Sequence, residues 1–144
     1  MLQKSTTDAL KALLELAGAP QQWRSTRELA LAQQLPEPRL EQLLLRLRRA
    51  GALEARRGRL GGYRLARTPR QIRVAEVMAA VEGPAAPSPP PPAPSAADQV
   101  TRALEQRLQR SIRQTLEELS LEDLLYDLRS AEACRDGDTG LLLG

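Results

Sequence analysis

The chain has 144 residues, a net charge of +3, 2 % aromatic residues, no phenylalanine, no histidine and one cysteine, Cys134. That composition excludes an intrachain disulfide, zinc sites of the usual Cys/His sets, and catalysis by a Ser–His or Cys–His pair. It leaves a mainly helical protein with a core of Leu, Ile, Val and Ala, without an apolar run long enough to span a membrane or a secretory leader in "MLQKSTTDALKALLELAG", so a cytoplasmic location is expected.

"STTDALKALLELA" (5–17) places Ala9, Leu10, Leu13, Leu14, Leu16 and Ala17 at helical spacing. Ser5 or Thr6 is expected to cap this helix, and Gly18 with Pro20 to stop it. In "RSTRELALAQQL", Ser25 followed by Glu28 is a capping-box pattern that opens a second, short helix ending near Gln34. Pro36 and Pro38 then suit a turn and the first position of a third helix. Leu40, Leu43, Leu44 and Leu47 form its apolar stripe, and Gly51 its natural stop. Two short helices about a tight turn form a helix-turn-helix pattern, which is weak by itself.

The next stretch strengthens it. "ALEARRGRLGGYRLARTP" alternates Leu53–Ala55 and Tyr63–Leu65 about a glycine-rich turn, the pattern of a two-stranded hairpin. Two helices followed by a basic hairpin make a winged helix. Tyr63 has two readings of equal weight. Its ring can stack or its hydroxyl meet a phosphate, or the ring can pack on the helices with the hydroxyl in water.

After Pro69, Ile72 and Val74 suit a short extended piece, and Val77, Met78 and Val81 line a helix ended by Gly83. "PAAPSPPPPAPSAA" (84–97) holds seven of the eleven prolines and is a loop or linker of polyproline II character. A long helix is predicted over Asp98–Leu119, capped by Asp98. Val100, Leu104, Leu108, Ile112, Leu116 and Leu119 form its stripe, which a second subunit would cover most simply; folding back on the chain's own winged helix is the plain alternative. "SLEDLLYDL" predicts a short helix from Ser120, and "CRDGDTGLLLG" a frayed tail.

Charge is concentrated. Residues 39–73 hold eleven arginines against Glu41 and Glu54, a net +9, whereas residues 1–38 balance and residues 74–144 carry a net −6. A block of this density is the footprint of a polyanion binder, and arginine suits bidentate contacts to phosphate and guanine. No catalytic constellation accompanies it, so the chain is not expected to be an enzyme.

"LEQLLLRLRRAGAL" (40–53), "RRGRLGGYRLA" (56–66), "TPRQIRVAEVMAAVEGP" (68–84) and "LEDLL" (121–125) together resemble the bacterial iron–sulfur cluster regulators (the IscR-type, or "Rrf-two", transcription factors). The resemblance covers about residues 5–84 and the final helix. It implies a homodimeric regulator of double-stranded DNA whose long C-terminal helix crosses its partner. The three loop cysteines of metal-binding members are absent, so no cluster and no other cofactor is expected. At the start of the first helix, Thr7 and Asp8 replace the family's basic and aromatic residues.

Residue by residue, the resemblance gives Glu41 a carboxylate role on cytosine N4 and Arg57 a minor-groove role. It sets Pro38 and Arg39 where other members carry serine and tyrosine. Gln42 suits an adenine edge. Arg46, Arg49 and Arg59 suit phosphates on charge and spacing, and Ser25 and Thr26 suit a phosphate at a helix N-terminus; simple capping explains Ser25 equally well.

The expected fold is therefore mainly α: a winged helix-turn-helix domain over 1–83 with a small β-hairpin wing, a Pro-rich loop over 84–97, a long dimerisation helix and a short helix over 98–133, and a flexible tail over 134–144. A homodimer on a near-palindromic duplex is the leading expectation. The alternative is a winged-helix adaptor that binds proteins and has lost DNA binding. The signal is left open between a regulatory protein, a small ligand and none.

Overall fold

A computed structural model describes residues 2–83 and 89–143, with side chains described as far as Gly137. Six α-helices, one 3₁₀ turn and one two-stranded antiparallel sheet form the described residues. The mainly helical winged-helix class expected from sequence is the class observed. Helix α1 spans Lys4–Ala17, α2 Thr26–Gln33 and α3 Glu37–Arg49. Strands β1 (Leu53–Arg56) and β2 (Gly62–Leu65) form the wing, paired Leu53 to Leu65 and Ala55 to Tyr63.

The core lies where α1, α3 and the wing meet. Leu13, Leu29, Leu44, Leu47 and Ile72 are fully enclosed, each worth about 1.5–3 kcal/mol of burial. The predicted cap of α1 is corrected. Gln3 occupies the cap position without a side-chain bond, and Ser5 and Thr6 lie inside the helix. Thr6 is fully buried and gives its hydroxyl to Glu82 at the end of α4 (Val74–Glu82). That partner lies 76 residues away, so no local pattern could reveal it.

The α2–α3 turn is tight because Gln34 takes the left-handed conformation at φ 55°, and the Leu35 N–H reaches the Ala30 carbonyl at 2.9 Å. Ser25 caps α2 as expected, accepting from the Glu28 N–H at 3.1 Å. Glycine is required at the end of the wing turn. At Gly62 φ is 137°, and a Cβ there would collide with the Arg24 carbonyl. The close approach exists because Arg24 and Tyr63 exchange two backbone hydrogen bonds, of 2.8 and 2.9 Å, which pin β2 to the segment before α2.

After the 3₁₀ turn Pro69–Gln71, the expected extended piece is present at Ile72 and Arg73 only, because Val74 already opens α4. It pairs with the chain entering the last helix: the Val74 N–H meets the Leu119 carbonyl at 2.9 Å, and the Leu121 N–H meets the Ile72 carbonyl at 2.8 Å.

Helix α5 runs Ala96–Glu118, starting two residues before the expected Asp98. Ser95 is its cap, and Asp98 completes a capping box by accepting from the Ser95 N–H at 2.8 Å. The Pro-rich stretch therefore ends before 96, and its residues 84–88 lie outside the described residues. Helix α6 runs Leu121–Leu143 in place of a short helix and a frayed tail. No proline interrupts it, and a helical glycine such as Gly137 costs only about 1 kcal/mol relative to alanine. Leu121 and Leu125 are buried in the core, so the first turns of α6 belong physically to the winged-helix unit.

Candidate nucleic-acid interface

Helix α3 buries Leu40, Leu43, Leu44 and Leu47. A helix that buries this stripe turns Pro38, Gln42, Leu45 and Arg49 to the opposite side. Pro38, Gln42 and Arg49 are exposed there. The flanks of α3 are held by neighbours. On one flank, the Arg39 guanidinium lies 3.3 Å from Asp8 of α1, and Arg46 donates to the Val81 carbonyl of α4 at 2.9 Å. Asp8 is itself buried and also pairs with Lys4 at 3.1 Å. Asp8 thus anchors the start of α3.

On the other flank sits Glu41, half-buried. Its Oε1 accepts from the Tyr63 hydroxyl at 3.0 Å, and its Oε2 accepts from the Thr26 hydroxyl. Tyr63 is 7 % exposed. Its ring packs in the core, as one sequence reading had it, but the hydroxyl meets a carboxylate and not water. Burial, then the hydrogen bond to Glu41 and the charge of that carboxylate, push the Tyr63 phenol up to about 12.

The wing projects from this surface. A turn closed by the Gly61 N–H on the Gly58 carbonyl at 3.1 Å carries Arg59 and Leu60 at its apex, with Arg57 just before it. All three are exposed. The side chains of Gln42, Arg49, Arg57 and Arg59 have no hydrogen-bond or ion-pair partner among the described residues. Ser25, by contrast, spends its hydroxyl on capping α2.

Sequence reasoning missed Trp23. Its ring receives the Arg64 guanidinium at 4.2 Å from the centroid and that of Arg56 at 5.9 Å. Arg64 is also paired with Glu54 across the hairpin. This stack braces the base of the wing. The available signal was a lone tryptophan just before a capped helix, in a chain almost without aromatics.

Away from this surface, α5 leaves Val100, Leu104 and Leu108 exposed, at 54–68 %. Ile112, Leu116 and Leu119 are half-buried, and the last two pack on the core. No helix among the described residues is long and apolar enough to cross a membrane.

A helix-turn-helix with an arginine-rich wing, exposing unpartnered cations on one side, defines the class of winged-helix DNA-binding proteins. The comparisons narrow that class. The profile of Rrf2, described as an iron-dependent transcriptional regulator, matches residues 2–127, and the chain belongs to that family. A putative HTH-type transcriptional regulator of Synechocystis is 39 % identical over 130 residues, covering 88 % of each chain. The HTH-type transcriptional regulator IscR of Cereibacter sphaeroides is 48 % identical over 77 residues, about half of each chain. Among solved structures, T. potens IscR superposes with a TM-score of 0.74 at 31 % identity, covering 91 % of this chain and 90 % of that one. CymR, the global cysteine regulator of B. subtilis, gives 0.73 at 29 % identity, covering 88 % and 96 %. The chain is thus a DNA-binding transcriptional regulator by family and fold.

Proposed function

We propose that the chain acts as a homodimeric, cluster-free regulator on a near-palindromic DNA site. Residues 1–83 form its DNA-binding unit, and α5 its dimerisation element. The observation that carries the proposal is the unpartnered polar surface shared by α3 and the wing. Gln42 and Arg49 lie on the outward side of a helix slim enough for a major groove, while Arg57 and Arg59 sit at a wing tip suited to the minor groove. Pro38 and Glu41 stand beside Gln42. Arg39 and Arg46 flank the groove face from fixed positions, and the α2 N-terminus at Ser25 and Thr26 offers first-turn N–H groups to a phosphate. Tyr63 contributes from below, through Glu41.

Dimerisation is supported by the exposed Val100, Leu104 and Leu108 on a helix that fully buries none of its residues and half-buries its apolar stripe within the chain only in its second half. Absence of a cluster is supported by the donor set. The single cysteine, Cys134, is exposed on α6, and no group of three His, Cys, Asp or Glu able to hold a metal occurs among the described residues. Iron–sulfur clusters are held by several thiolates, and this chain carries a single cysteine.

The adaptor reading draws on one observation: Asp8 and Val81 already engage Arg39 and Arg46. The test is selection of duplexes from a random pool, followed by a salt titration. A near-palindrome bound with a steep negative salt slope is expected. Arg57→Ala should weaken binding, and Glu41→Ala should relax base choice more than affinity. A pool without enrichment would favour the adaptor.

A further inference from the structure

Glu41 is held from two sides by groups on two other elements. Thr26, the first residue of α2, gives its hydroxyl to Oε2; Tyr63, in the middle of β2, gives its hydroxyl to Oε1 at 3.0 Å. Neither donor is free to drift. Tyr63 is buried, and its backbone is clamped to Arg24 by two hydrogen bonds; Thr26 follows two residues after that clamp. A carboxylate has about four acceptor positions. With one hydroxyl on each oxygen, positions remain free on both, and rotation of the carboxylate about its last bond is blocked. The half-exposed group therefore presents its remaining acceptors in one orientation, beside the outward Pro38 and Gln42.

We propose that Thr26 and Tyr63 are specificity-positioning residues, whose hydroxyls fix the Glu41 carboxylate so that it discriminates between bases. This rests on the reading of Glu41 as a base-contacting residue. An anchored acceptor takes a hydrogen bond from an amino group such as cytosine N4, and it cannot swing away from acceptors such as guanine O6 or thymine O4. A carboxylate freed of its hydroxyls can swing away, and the wrong base is then tolerated. The hydroxyls thus act on the penalty for the wrong base more than on affinity for the right one.

The experiment uses the full chain and a duplex panel in which each position of the selected half-site carries all four bases. Binding is read by fluorescence anisotropy at one salt concentration. Glu41→Ala identifies the position that Glu41 discriminates. There, Tyr63→Phe and Thr26→Val should each lower discrimination by roughly tenfold, the scale of one hydrogen bond to a charged group. Affinity for the preferred duplex should change by less than about threefold, and Thr26→Ser should keep wild-type discrimination. In a Glu41→Ala background, Tyr63→Phe should change discrimination no further.

Wild-type discrimination in both Tyr63→Phe and Thr26→Val would overturn the positioning role while leaving Glu41 as a base reader. An equal loss of affinity for every duplex would also overturn it, by showing that the hydroxyls only support the fold. Wild-type discrimination in Glu41→Ala would overturn both this inference and the reading beneath it.

Discussion

Helices α3 and α5 carry the same kind of apolar stripe, yet they end in opposite environments. Leu40, Leu43, Leu44 and Leu47 of α3 are at most 4 % exposed, whereas Val100, Leu104 and Leu108 of α5 are 54–68 % exposed. The difference lies in what surrounds them. Helix α3 is enclosed by α1, α2, α4 and β1, while only the second half of α5 reaches α4 and the core. Periodicity shows that a face is built for burial; it does not say which molecule buries it. In the winged-helix half the chain covers itself. In the first half of α5 the stripe stays open to solvent, and the homodimer proposed above would cover it with a matching stripe.

The sharpest way to separate the two regions is to damage one at a time. Leu44→Ala leaves a void in the closed core and should cost about 2–5 kcal/mol of unfolding free energy, read by urea denaturation at any protein concentration. A Leu104→Asp, Leu108→Asp double variant should leave that core intact and weaken self-association by about a hundredfold or more. Analytical ultracentrifugation should then find monomer, and the melting midpoint should lose its dependence on protein concentration. If the double variant instead melts far below the wild type as an unchanged dimer, α5 folds back on its own chain.

Smaller changes test the joints between the regions. Gly62→Ala forces a side chain into φ 137° against the Arg24 carbonyl. It should cost about 1–3 kcal/mol from backbone strain alone, and loosen the wing in hydrogen exchange. Ser120→Ala removes the hydroxyl that caps the first turn of α6, accepting from the Asp123 N–H at 3.2 Å, and should cost about 1 kcal/mol.

The Ser120 cap also predicts a pH dependence. The N–H and hydroxyl of Ser120 hold the Asp123 carboxyl below the usual carboxylate range. A depressed folded value stabilises above the unfolded pKa of about 3.9 and loses that stabilisation as pH falls through the folded value. The acid limb of the stability curve should therefore flatten in Ser120→Ala. Tyr63 gives the opposite sign. With its folded pKa raised to about 12, its contribution is complete below the ordinary phenol value of about 10 and is lost as pH rises through the folded one. Absorbance titration of Glu41→Ala should find that phenol below its wild-type value yet still raised, because burial is the larger cause.

The local chemistry of the chain was enough for much of this protein. Leucine spacing set α1 and α3, Ser25 and Glu28 marked the start of α2, and the glycines with alternating apolar residues placed the wing. The run of arginines located the basic surface. Motifs of this kind act through neighbours a few residues apart, so they are legible in one dimension. Two helix starts slipped: the Ser95 hydroxyl accepts at the start of α5 in place of Asp98, and α1 begins after Gln3 with no side-chain cap in place of Ser5 or Thr6. Only the tertiary structure decided that Asp8 would anchor Arg39, that Thr6 would meet Glu82, and that Thr26 and Tyr63 would converge on Glu41. Those pairs lie 15 to 76 residues apart, or join elements whose approach is set by the shared core. A polar side chain shows its type in the sequence, but its partner is chosen by packing, which must satisfy each buried polar group once the leucines have fixed where the helices lie.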